Sequence, residues 1–120
     1  MKIIKKTNPR LVRLISDLKA ASRESKAAIW RDVAERLEKP RRNYAAVNLS
    51  KINRYTGDDD TVLVAGKVLG AGEIDHRVTV AALGFSEQAA SKIVSAGGRC
   101  MKIEELIKLH PKGTGIKILR

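Results

Sequence analysis

Thr61-Val62-Leu63-Val64-Ala65-Gly66-Lys67-Val68-Leu69 is the stretch on which the fold turns. Its first five residues form an unbroken run rich in β-branched and apolar side chains. A strand with one wet face alternates apolar and polar residues, whereas a continuous run fits a strand covered on both faces. Gly66 interrupts the run and Lys67-Val68-Leu69 resumes it. Val78-Thr79-Val80-Ala81-Ala82-Leu83 is a second strand of the same kind. Gly70-Ala71-Gly72 between them reads as a tight turn.

Toward the C-terminus, Ser86 is a side-chain cap for a predicted helix over about 87–96, with Ala89, Ala90, Ile93 and Val94 inward. Gly97-Gly98 stops it, because glycine reaches the left-handed region without strain. Arg99-Cys100-Met101 reads as a short strand, Ile103–Leu109 as a short helix ended by Pro111, and Ile116–Leu119 as a last strand. Toward the N-terminus, Asn8-Pro9 is a good helix start, since Asn caps free N–H groups and Pro suits the first helical position. Leu11, Leu14, Ile15 and Leu18 place a helix at about 9–22; Trp30, Val33, Ala34 and Leu37 place another at about 26–38, ended by Pro40. These two helices predict a hairpin. Asn48–Tyr55 reads as a short helix or turn.

Charge divides the chain differently. Residues 1–56 hold 15 Lys or Arg against 5 Asp or Glu, residues 57–98 hold 3 against 6, and residues 99–120 hold 6 against 2. Two basic ends flank a slightly acidic, apolar centre within a net charge of +11. Such concentrated cation density is the footprint of a polyanionic partner. The expected division is therefore a basic helical region over 1–56 and an α/β core over 57–120 with a basic C-terminal loop and strand. No apolar run approaches the ~18 residues of a membrane-spanning helix. The N-terminal Met1–Lys6 lacks the pattern of a signal peptide, so a cytoplasmic address and no membrane partner are expected. Trp30, Tyr44, Tyr55 and Phe85 are too few to predict a stacking platform for single-stranded bases. Binding is expected to lean on phosphates, sugars and shape.

Several motifs have a catalytic or ligand-binding reading beside a plainer one. Gly70-Ala71-Gly72 lacks the third glycine of a dinucleotide loop, whose place is taken by Asp75, and no Walker-type lysine follows. Glu73, Asp75 and His76 do not make a metal set with the distant His110, although His76-Arg77 could donate to RNA. Asp58-Asp59-Asp60 lacks the spacing of a calcium loop and reads as a solvated segment that repels anions. Cys100 stands alone, without a disulfide or metal partner. Lys112-Gly113-Thr114-Gly115-Ile116-Lys117 reads equally as a phosphate grip or a hairpin turn. Arg41-Arg42-Asn43 is a stronger anion candidate, because adjacent guanidiniums in a loop favour bidentate phosphate contacts. No nucleophile–base set can be assembled, and no enzyme is expected.

Thr7-Asn8-Pro9, Asn48–Ile52, Val62–Leu69, Val78–Leu83, Ser86–Ile93, Ala96-Gly97-Gly98 and Pro111–Gly115 are each ordinary caps, strands and turns. In this order and spacing the chain resembles the archaeal form of large-subunit ribosomal protein eighteen, the eighteen-e family, related to bacterial ribosomal protein fifteen. The resemblance implies a structural constituent of the large ribosomal subunit. It implies an α/β fold, a small mixed-sheet core of irregular strand–strand–helix units, with the N-terminal basic helical hairpin spread over ribosomal RNA. The implied partners are large-subunit ribosomal RNA and neighbouring ribosomal proteins in the cytoplasmic ribosome, with no cofactor, no metal and no small-molecule substrate. Charge and resemblance together nominate Lys5, Lys6, Arg10, Arg13, Arg41, Arg42, Asn43, Lys51, Arg54, Lys112, Thr114 and Lys117 for RNA contact. The competing class is a free-standing nucleic-acid-binding or ribosome-assembly protein, which would bind duplex DNA comparably. The like-charged helices of residues 1–56 predict partial mobility in the free protein, because short helices rely on packing.

Overall fold

The computed structural model describes residues 8–120. Two helices open the chain, α1 (Pro9–Ser25) and α2 (Ala28–Glu38). A single 3-10 turn over Arg41–Asn43 leads to strand β1 (Ala45–Asn48) and helix α3 (Leu49–Tyr55). There follow β2 (Asp60–Leu69), β3 (Val78–Phe85), α4 (Glu87–Ser95), β4 (Arg99–Lys102), α5 (Ile103–Leu109) and β5 (Ile116–Leu119). The caps read from sequence are in place: the Asn8 side chain accepts from the Arg10 N–H at 3.0 Å, and the Ser86 hydroxyl accepts from the Ala89 N–H at 3.1 Å. Gly97 has φ +86° at the end of α4, as its stop role requires.

The α/β class holds. The sheet differs from the expected mixed one, since every pairing among the described residues is parallel. β4, β3 and β2 lie side by side, and the far edge of β2 is shared by two short strands end to end. β5 pairs with Thr61–Val64 and β1 with Gly66–Leu69. Steps from β1 to β2, β2 to β3 and β3 to β4 all move the same way across the sheet, and their connections bury Leu49, Ile52, Ile74, Ala89 and Ile93 on one face. The step from β4 to β5 runs back the other way, and α5 accordingly lies on the opposite face with α1 and α2. Crossovers of a single hand require that change of face.

The central strand therefore has two dry sides. Val62, Val64 and Val68 face the α3–α4 layer, while Leu63 and Ala65 face α1, α2 and α5, all of them buried. Leu14, Leu18, Trp30, Val33 and Leu37 are fully buried against that second face, so the first two helices share a core with the sheet. Trp30 also donates its Nε1–H to the Pro111 carbonyl at 2.7 Å. That bond satisfies the indole's polar atom and ties α2 to the segment before β5.

Gly70-Ala71-Gly72 is not a tight turn between neighbouring strands. Because β2 and β3 are parallel, residues 70–77 must return the length of the sheet, which about eight residues can do only if nearly extended. The segment is held on the way by Ile74, which is buried, and by Lys92, whose Nζ donates to the Gly70 and Gly72 carbonyls at 3.1 and 2.8 Å. Carbonyls turned toward a lysine are the reverse of a phosphate loop, which presents N–H groups.

Candidate nucleic-acid interface

An irregularity in β2 creates the most distinctive surface of the molecule. Val64 pairs with Ala82 and Lys67 with Gly84, so Ala65 and Gly66 together stand opposite Leu83 alone. A bulge of this kind bends the strand and re-aims its side chains. Gly66 is required there: a Cβ would lie 1.8 Å from the Ala45 carbonyl oxygen of β1. Past the bulge Lys67 is exposed within a strand that is otherwise almost wholly buried.

An open groove of about 950 Å³ lies over this point, at the carboxyl ends of β2 and β3. Its floor is Gly66, Lys67 and Gly84, flanked by Phe85. One wall is the first turn of α1, with Asn8 and Arg10; the other is Arg41, Arg42 and Tyr44. Four cationic side chains thus converge from parts of the chain far apart in sequence. The N-terminus of α1, which carries the positive end of the helix dipole, adds to the same potential.

Arg10 is held in place. Its Nε and Nη2 donate to the two Glu104 oxygens at 2.9 and 3.2 Å, and its Nη1 donates to the Leu83 carbonyl at 3.1 Å. The hydrogen bond to Glu104 raises the Arg10 pKa above its ordinary value. Burial works against the Glu104 carboxylate, but the hydrogen bonds from Arg10 and the backbone, with nearby positive charge, hold its carboxyl below the usual range. Arg41, Arg42 and Lys67, by contrast, are exposed and have no side-chain partner among the described residues.

The other nominated residues are dispersed. Asn43 lies on a smaller depression with Arg36, Lys39 and Arg120, where the end of β5 meets the start of β1. Arg13 is exposed on α1 and Arg54 on α3. Lys51 donates to the Arg120 carbonyl, and Lys117 donates to Asp60 Oδ2 at 2.8 Å and the Tyr55 carbonyl at 3.2 Å. Lys112 and Thr114 are exposed on the loop before β5. There Gly113, at φ +66°, packs so closely on Ile29 that a Cβ would lie 2.4 Å from its Cγ2, and its N–H already donates to the His110 carbonyl. The loop sits by the start of α2, and the Arg41–Asn43 turn follows its end, so the two groups do not converge. Lys5 and Lys6 lie outside the described residues.

Lys67, Tyr44 and Phe85 were not singled out from sequence. A lone lysine in an otherwise dry strand is the signal that identifies the first; the two aromatics carried no local signal, because only the fold places them along the groove.

The opposite end of the sheet is acidic. Asp60 and Lys67 are seven residues apart on β2, roughly 23 Å at ~3.3 Å per residue. Arg77 Nη2 donates to Asp58 Oδ2 at 3.3 Å and to Asp59 Oδ2 at 3.4 Å. Its backbone N–H donates to Asp58 Oδ1. Asp58 is held below its usual pKa chiefly by the Arg77 hydrogen bonds, and Asp60 by the Gly57 N–H and then Lys117. His76 Nδ1 lies 2.7 Å from Asp75 Oδ1, and its Nε2 lies 2.8 Å from Thr56 Oγ1. His76 and Arg77, considered as RNA donors from sequence, are thus engaged within the protein. No group of three potential metal ligands occurs among the described residues, and no helix among them is long and apolar enough to cross a membrane.

Comparison with known proteins places this geometry in context. The family model described as ribosomal protein 60S L18 and 50S L18e matches residues 1–120. The large ribosomal subunit protein eL18 of Methanoregula boonei is 60% identical over 117 residues, covering 98% of this chain and 97% of that protein. The protein of the same name from Methanothermobacter thermautotrophicus is 54% identical, covering 97% and 96%. That from Halobacterium salinarum is 50% identical, covering 96% and 98%.

Proposed function

The chain belongs to the family of ribosomal proteins 60S L18 and 50S L18e, and on that premise we propose that it is a non-enzymatic structural constituent of the large ribosomal subunit that binds ribosomal RNA. The observation that carries the reading is the cationic groove, where Arg41, Arg42 and Lys67 are exposed with no counter-charge among the described residues. Like charges gathered without partners repel one another, and a polyanion relieves that repulsion. An RNA backbone entering the groove replaces its condensed counterions with these side chains, which favours binding and lets crowded RNA segments approach each other.

In this reading residues 1–56 carry most of the RNA surface, while their helices and β1 share one α/β core with residues 57–120. Arg41, Arg42 and Lys67 make the principal phosphate contacts. Arg13, Asn43, Arg54, Lys112 and Thr114 contribute where RNA passes over their faces. Arg10, Lys51 and Lys117 act mainly by bracing the fold. Neighbouring ribosomal proteins are further partners, and the protein works in the cytoplasmic ribosome. Sedimentation of a cell lysate tests the reading: stoichiometric migration with the large subunit at moderate salt, lost at high salt, is expected. Migration as a free protein or with DNA would overturn it. Arg41→Ala combined with Arg42→Ala is expected to lower the salt slope of RNA binding by about two, one for each lost phosphate contact.

A further inference from the structure

Asp75, His76 and Thr56 form a chain of hydrogen bonds that the cationic groove does not use. It lies at the acidic end of the sheet, between the return segment 70–77 and the C-terminal end of α3. His76 Nδ1 meets Asp75 Oδ1 at 2.7 Å, and Nε2 meets Thr56 Oγ1 at 2.8 Å. The Thr56 hydroxyl carries the chain on to the Ile52 carbonyl at 2.6 Å. Carboxylate, imidazole and hydroxyl in this order resemble a nucleophile with its base, in which the hydroxyl donates to the ring. The placement of protons excludes that here. Two oxygens 2.6 Å apart need a proton between them, and a carbonyl has none to give, so the Thr56 hydroxyl donates to Ile52. Its single proton is thereby committed, and Nε2 must donate to Oγ1. The Asp75 side chain is 78% exposed, and its carboxyl is held below the usual range chiefly by the bond from His76, so it is ionised and can only accept. Nδ1 must therefore carry a proton as well. Only an imidazolium has both.

From this we infer that His76 is a proton-operated latch: as an imidazolium it fastens the return segment to the end of α3, and on losing a proton it releases one of its two partners. The surroundings suit a cation. Asp75 on its own segment, Asp58 before β2 and Asp60 at the start of β2 are carboxylates in electrostatic reach of the ring. The cations beside them, Arg77 and Lys117, are bonded to Asp58 and Asp60 respectively. Through Thr56 the ring also meets a carbonyl in the last turn of α3, at the negative end of the helix dipole. The segment has two further ties to α3 that do not titrate. The Ser50 N–H donates to the Ala71 carbonyl at 3.1 Å, and the Asp75 N–H donates to Asn53 Oδ1 at 3.2 Å. A neutral ring therefore loosens the far end of the segment from α3, while its start stays fixed. The inference goes beyond the RNA-binding reading and does not rest on it.

The test follows the full chain by NMR from about pH 5 to about pH 9, the span in which histidine charge changes are read. Long-range proton–nitrogen couplings count the protons on the His76 ring, and the backbone amides of Asn53–Thr56 report the state of the link. His110, which is exposed, is the reference in the same spectra. The expected result is two ring protons at the acid end, then loss of one, with the α3 amides shifting at the same midpoint as the ring. Thr56→Val keeps the side-chain shape and removes the acceptor. It is expected to leave the ring titrating and to abolish the shift of the α3 amides. A ring that carries one proton throughout while the α3 amides stay unchanged overturns the latch. So does a ring that titrates without any response in α3, or a response that persists undiminished in Thr56→Val. The wild-type titration can overturn the latch by itself, so poor folding of the variant leaves the test decisive.

Discussion

At the scale of single residues, Gly66 shows how one position serves both the sheet and the site. It was legible as an interruption in an apolar run, but not as the place where β1 begins to pair with β2. Its missing side chain admits the Ala45 carbonyl oxygen, which would otherwise lie 1.8 Å from a Cβ. Gly66→Ala must push β1 away, since the obstacle is backbone and cannot rotate aside. The expected cost is ~1–3 kcal/mol, as for other forced overpacking, read as a melting temperature several degrees lower. RNA affinity should fall with it, because β1 positions the Arg41–Tyr44 wall. An unchanged melting temperature would show that β1 contributes nothing to the folded sheet. Arg10 shows the opposite lesson. Its charge nominated it for RNA contact, and its two bonds to Glu104 in addition make it a brace between α1 and α5.

At the scale of elements, the acidic segment before β2 is a clamp. Asp58 and Asp59 hold Arg77 at the start of β3, and Asp60 holds Lys117 on β5. Three adjacent strands are thereby joined at one end through carboxylates. The sequence suggested a solvated loop that repels anions; the partners could not be read, because Arg77 and Lys117 reach it only through parallel pairing. Asp58, Asp60 and Asp75 all titrate below their ordinary value in the folded chain, held down by Arg77, by the Gly57 N–H with Lys117, and by His76. A carboxyl with a depressed folded pKa stabilises the protein above its unfolded value, about 4, and loses that contribution as pH falls through the folded one. Urea midpoints are therefore expected to be insensitive to these groups from neutrality down to about pH 5 and to fall below about pH 4. Asp58→Asn should show a lower midpoint at neutral pH and a shallower acid decline. A decline of undiminished steepness in that variant would remove Asp58 from the clamp.

At the scale of the whole molecule, the helical hairpin is part of the core. Many like charges on short helices predicted partial mobility of residues 1–56, but Leu14, Leu18, Trp30, Val33 and Leu37 are fully buried with Leu63, Ala81 and Leu106. Fully burying side chains of this size contributes ~1.5–3 kcal/mol each relative to exposure, against repulsions between exposed charges that are each of order a few tenths. Packing outweighs charge. Amide exchange in the isolated protein is accordingly expected to show protection in the interiors of α1 and α2 comparable to that in β2 and β3. Rapid exchange across both helices would show that they dock only on RNA.

The sequence by itself determined the α/β class, the family resemblance, most helices and strands, and the basic character of the ends. These depend on periodicity, caps, composition and motif order, which are local and survive in one dimension. It did not disclose β1, a four-residue strand that exists because Gly66 lets it pair, or the parallel return of residues 70–77. Nor did it disclose which cations would be engaged and which would face solvent. Those outcomes depend on what the chain brings together from afar: Glu104 onto Arg10, Asp60 onto Lys117, and Arg41 and Arg42 along one groove with Lys67. Only the tertiary structure decided them, because a side chain's charge belongs to the residue, whereas its partner, its exposure and hence its use are set by the fold.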